Sequence, residues 1–132
     1  MTCPLCLRAQ PKIGTRDLSF LEQVECNKIV DVSQRYANGR VPIEVVAIRL
    51  SPDVAIVTLP GEVFVELGLA IKQASSFKTT LVIELSNDAP AYVPTKKAFA
   101  EGSYEIVNSR VAPGGGEKLA DLAITLLKEL TP

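Results

Sequence analysis

Histidine is absent from the 132 residues of this chain. That absence excludes every catalytic triad, dyad or metal site in which this chain alone supplies an imidazole. Tryptophan is absent too, and four Phe and three Tyr are the whole aromatic complement. So few rings do not make a stacking platform for nucleic acid. There is no basic excess: 14 Lys and Arg against 15 Asp and Glu give a net charge of −1, which leaves no electrostatic footprint for a nucleic-acid partner. No apolar run is long enough to span a bilayer, so no transmembrane segment is expected. No charged stretch leads into an apolar one at the start, so no signal peptide is expected in this chain, and the compartment stays unassigned.

Cysteine is scarce and odd in number: Cys3, Cys6 and Cys26. Cys3 and Cys6 form a C-x-x-C pair, but three thiols without histidine fall one short of a structural zinc site. An odd count also argues against a disulfide framework. A surface redox pair or free thiols fit better, and the pair lies in an irregular stretch rather than at a strand-to-helix junction.

What the chain does have is apolar residues, 47% against 22% charged, the balance of a globular domain. Residues 1–16 read as an irregular arm and residues 17–132 as one α/β domain. A helix is expected from Asp17, or from Ser19, which has capping-box spacing to Glu22. Asn38-Gly39 is its expected stop. Residues 41–50 and 54–59 are β-rich, joined by the turn Ser51-Pro52-Asp53. They predict an antiparallel hairpin covered on both faces. A deeply buried helix is expected to begin near Glu62 or Val63 and run to about residue 75. Residues 79–85 predict a third strand beside the second. Thr95 is placed to cap a short helix ending at Gly102, and 104–107 suggest a short strand. Leu119, Leu122, Ala123, Leu126, Leu127 and Leu130 fall on one helical face. The order α-β-β-α-β-α-α predicts a single mixed β-sheet layered with helices.

Three stretches could carry chemistry. In Pro60-Gly61-Glu62 a strand ends and a carboxylate follows, where crevices form at carboxyl ends of strands. An expected helix start there favours the anion, although on these residues alone the plainer reading is that Glu62 is only a helix-start residue. Tyr92, after the third strand, falls near Glu62, and Tyr104 follows twelve residues on. Two tyrosines beside a carboxylate could ligate a metal, donate to an oxyanion or simply pack. Gly114-Gly115-Gly116-Glu117-Lys118 opens the last helix, but Walker spacing is missing and a flexible turn is the expected reading.

Taken together, Pro60-Gly61-Glu62-Val63-Phe64, the stretch Asn87 with Ala91-Tyr92-Val93-Pro94-Thr95, and Gly102-Ser103-Tyr104-Glu105 resemble the neutral/alkaline non-lysosomal ceramidase family. The resemblance covers roughly residues 41–130, matching the C-terminal part of that family's catalytic domain. It implies a zinc amidohydrolase of sphingolipid metabolism, often secreted or periplasmic, acting on an N-acyl lipid or amide. By resemblance, Glu62 and Tyr92 are zinc ligands and Tyr104 assists catalysis at the substrate amide. The two histidine ligands belong to upstream motifs that this chain lacks. Ala89 stands where the family often has a further tyrosine, and Pro94-Thr95 stands at a Thr-Thr position, as in divergent bacterial members. The resemblance therefore implies half of a metal site, inactive alone, with the missing upstream half of the domain as a partner. From a different class comes a small non-catalytic α/β module that self-associates or binds a partner chain, because former core surface would be left exposed.

Overall fold

The computed structural model describes residues 8–36 and 40–131. The Cys3–Cys6 pair and the Asn38-Gly39 stop lie outside these residues. The chain is mixed α/β, as the pattern of apolar residues predicts. A 3-10 turn at Gln10–Lys12 precedes α1 (Phe20–Arg35), then β1 (Val46–Arg49), β2 (Val54–Thr58), β3 (Glu62–Val63), α2 (Val65–Ala74) and β4 (Thr79–Ile83). After these come β5 (Tyr92–Val93), α3 (Lys96–Glu101), α4 (Tyr104–Val107) and α5 (Gly115–Glu129). A three-stranded mixed sheet has the order β1-β2-β4, and β3 and β5 form a second, two-stranded sheet.

The helix starts follow local chemistry. Ser19 and Glu22 form the expected capping box, so α1 begins at Phe20 rather than at Asp17. Thr95 caps α3 by accepting the Ala98 N–H, and Gly102 ends that helix. A second acceptor at the same helix start is Glu117, whose Oε1 takes the Lys96 N–H at 2.7 Å and ties α3 to α5.

The hairpin β1–β2 is antiparallel, with Ile48 opposite Ile56. β4 lies parallel to β2, with Leu81 opposite Ile56. Period-two alternation sends Ala55, Val57 and Leu59 to one face, where they are fully buried. On that face they meet Leu67 and Ile71 of α2 and Leu119, Ala123 and Leu127 of α5. Gly116 permits the contact: a Cβ there would stand 2.5 Å from the Pro94 carbonyl oxygen and 2.6 Å from Leu67 Cδ1.

Coverage on both faces is not what the structure has. Ile48, Leu81 and Ile83 lie on the opposite face and are 44%, 46% and 44% exposed. Nor is α2 deeply buried all round, since Val65 and Leu69 are largely exposed. Both helical layers, α2 and α5, pack on the same side of the sheet. The second apolar side of each element therefore meets no layer among the described residues.

Two local expectations are corrected. Glu62 does not open a helix: Glu62–Val63 is a strand, and α2 starts at Val65 after the N-cap Phe64. Pairing with β5 fixes these residues, through Glu62 N–H to Ala91 O and Phe64 N–H to Val93 O, each 3.1 Å. Likewise 104–107 is one helical turn rather than a strand. Its amides close locally, Val107 N–H onto Ser103 O and Asn108 N–H onto Tyr104 O, which leaves no ladder to join.

Candidate functional site

The small sheet builds the site. Glu62 and Tyr92 are Cα partners in the parallel β3–β5 pair. Parallel partners present their side chains on the same side, so the register alone brings carboxylate and phenol together. Both residues are partly exposed. The phenol's pKa is raised above its ordinary 10.0. The largest cause is its hydrogen bond to the Glu62 carboxylate, followed by burial and then by the negative charges of Glu62, Tyr104 and Glu105. Tyr92 is therefore a neutral donor at ordinary pH.

Tyr104 completes the group. Its ring meets the Tyr92 ring edge-on, with centroids 6.1 Å apart and planes at 77°. Phe20 also stacks on Tyr104, with centroids 6.3 Å apart and planes at 10°. Asn108 donates to the Tyr104 hydroxyl at 3.4 Å. Glu105, on the same helical turn, has its carboxyl pKa lowered by the Ser103 hydroxyl and by its own backbone N–H. All three residues singled out in the sequence, Glu62, Tyr92 and Tyr104, thus share one surface.

The backbone beneath is tightly held. Gly61 has φ +75°, and a Cβ there would collide with the Ala91 carbonyl oxygen. Its N–H donates to Asp88 O and its carbonyl accepts from Leu85 N–H, each at 3.0 Å. Leu85, Asn87 and Ala91 all have positive φ. For Leu and Ala this conformation is costly, and it persists because Ala91 O is held by the Glu62 amide. Strained backbone next to convergent polar side chains is a recognised mark of functional sites.

Four contributors carry no sequence signal at short range. Glu84 Oε2 accepts the Val63 N–H at 2.7 Å and satisfies the open side of β3. Ser109 Oγ donates to the Tyr92 carbonyl at 2.9 Å from the far side of α4. Phe20 arrives from α1. Arg110 holds that helix in place through Asp31, with Nη2 at 3.0 Å and Nε at 3.2 Å from Oδ2. Each partner is remote in sequence, so only the folded chain shows the pairing.

Glu62 lies three residues before the first helical residue, Val65, outside the reach of a macrodipole that fades beyond the first turn. What remains is a donor set of one carboxylate and one phenol. No group of three His, Cys, Asp or Glu side chains able to hold a metal occurs among the described residues. No protein-family model, curated protein or solved structure matches the chain.

Proposed function

We propose that Glu62, Tyr92 and Tyr104 are one half of the active site of a ceramidase-like zinc amidohydrolase, acting on an N-acyl lipid or amide. The observation that carries the reading is the register pairing of Glu62 with Tyr92, beside which Tyr104 is packed. The donor set fits half of a zinc coordination sphere: two oxygen ligands of the four a zinc site requires. Glu62 and Tyr92 would hold the metal, and two imidazoles must come from another stretch of polypeptide. Zinc so held supplies a water of lowered pKa and polarises the scissile carbonyl. The protein's own groups have defined tasks. Tyr92, whose pKa is raised, must release its phenol proton before it can ligate, so metal binding is linked to proton release. Tyr104 keeps its phenol as a donor for an oxyanion. A second copy of the chain cannot complete this site, since it brings no histidine either.

The experiment is a zinc titration of a variant with Cys3, Cys6 and Cys26 replaced by serine. Expected is weak binding that releases protons, is lost in Glu62→Ala and Tyr92→Phe, and survives Tyr104→Phe. N-acyl amides should not be hydrolysed by this chain alone. A tight stoichiometric site in the cysteine-free chain contradicts the half-site, and binding indifferent to Glu62 and Tyr92 removes the metal reading.

The exposed apolar sheet face favours a second reading, a module that associates through its surface. Ile48, Leu50, Leu81, Ile83 and Leu85 are all exposed there or at its rim, a larger cluster than isolated surface hydrophobics explain.

A further inference from the structure

We infer that the chain forms a twofold dimer by antiparallel pairing of β4 with β4 of a second copy, joining two three-stranded sheets into one of six. The inference does not depend on the metal reading. Among the described residues β4 is an edge strand, bonded to β2 on one side and to no strand on the other. Thr79 donates to Asp53 O and Ile83 accepts from Leu59 N–H. The odd-numbered residues of β4 therefore face β2, and the backbone groups of Thr80, Val82 and Glu84 face the open edge. Among the described residues the N–H groups of these three have no partner. An open row of this kind is a template for another strand.

The composition of the edge selects a second copy as the occupant. Residues 79–83 are Thr-Thr-Leu-Val-Ile, with neither proline nor charge. The other edge, β1, carries Arg49 and follows Pro42 and Glu44, the devices that blunt strand pairing. β4 is instead bracketed by Lys78 and Glu84, each three residues from Leu81. A twofold axis at Leu81 sets Leu81 against its copy and Thr80 against Val82, and it sets Lys78 of each strand against Glu84 of the other. Opposite residues on antiparallel strands share a face, so both charge pairs are attractive. The register also matches the backbone: even-numbered residues meet even-numbered ones, which makes the Thr80–Val82 pairs hydrogen-bonded and the central Leu81 pair the close, non-hydrogen-bonded kind. Beside this edge lies a cleft of about 170 Å³ lined by Val65, Leu69, Val82 and Glu84 among others. It places the exposed apolar side of α2 next to the same axis.

Sedimentation across micromolar to submillimolar concentration tests the association. Expected is a monomer–dimer equilibrium that Leu81→Lys abolishes while circular dichroism stays native, since Leu81 is already 46% exposed. Lys78→Glu should weaken the dimer about tenfold by turning two attractive pairs repulsive. Register is read by oxidation in the cysteine-free background. Leu81→Cys should cross-link to its own copy, because a non-hydrogen-bonded pair brings Cα atoms within disulfide reach. Thr79→Cys and Ile83→Cys should cross-link when mixed and not alone. A monomer throughout the range, a dimer that survives Leu81→Lys, or equal cross-linking at all three positions overturns the inference.

Discussion

Glu62 and Tyr92, thirty residues apart in sequence, are register partners in a parallel pair of two-residue strands, and the carboxylate of one raises the pKa of the phenol of the other. A carboxylate beside a phenol favours the neutral form of tyrosine in the folded state. In the unfolded chain the phenol returns to its ordinary value of 10.0. The folded state therefore binds the proton more tightly, and this contribution to stability is complete below pH 10. It is lost as the pH rises through the raised folded value. Glu62→Gln should bring the Tyr92 titration back toward its ordinary value and flatten the loss of stability above pH 10, measured by denaturant unfolding across that range.

At both Gly61 and Ala91 a methyl group is unfavourable. Gly61→Ala drives a Cβ into the Ala91 carbonyl at φ +75° and should destabilise by about 1–3 kcal/mol. Ala91→Gly removes a Cβ from a residue at φ +68° and should stabilise by roughly 1 kcal/mol. Thermal unfolding of the two variants checks the pair. If Ala91→Gly also lowers Tm, strain relief is not the dominant effect.

Buried and exposed leucine-type positions on α2 should separate cleanly. Ile71 is fully buried against the sheet, and Ile71→Ala should cost about 2–5 kcal/mol. Leu69 on the same helix is 58% exposed, and Leu69→Ala should change monomer stability by less than about 0.5 kcal/mol. Chemical denaturation at low protein concentration makes the comparison without interference from association.

The start of α1 should fail first in acid. Ser19 donates to Glu22 Oε2 from its hydroxyl at 2.6 Å and from its backbone at 2.8 Å, and these bonds lower the Glu22 pKa below 4.5. The depressed carboxyl stabilises the fold above pH 4.5, and the contribution disappears as the pH falls through the folded value. Ser19→Ala should cost about 1 kcal/mol at neutral pH. Amide exchange of Gln23 and Glu22 should report faster opening in that variant and in the wild type at low pH.

Much of this arrangement is legible in the sequence where its cause is local. The Ser51-Pro52-Asp53 turn and two flanking β-rich runs specify a hairpin, and the leucine spacing from Leu119 specifies α5. Glu62 and Tyr92 are also legible as a neighbouring pair, because strand ends on one sheet face one crevice. The β3 strand is not: two residues have no periodicity, and only the distant segment at Tyr92 makes them extended. The same holds for α4, whose Tyr-Glu-Ile-Val composition suits a strand, while Ser103 and the rings of Tyr92 and Phe20 hold it as a turn. The exposed apolar faces of β4 and α2 escape for another reason. Hydrophobicity reports what a residue would bury if it could, and the described residues supply a layer to one side only.

Glu62 and Tyr92 are proposed to hold a metal together, which requires that the metal displace the phenol proton of Tyr92. The most direct measurement is the titration of the Tyr92 ring, followed by nuclear magnetic resonance in the cysteine-free chain with and without zinc. Expected is an ionisation above the ordinary tyrosine value without metal, moved to lower pH by saturating zinc and unmoved by zinc in Glu62→Ala. An ionisation that zinc leaves unchanged in the wild-type pair would contradict it.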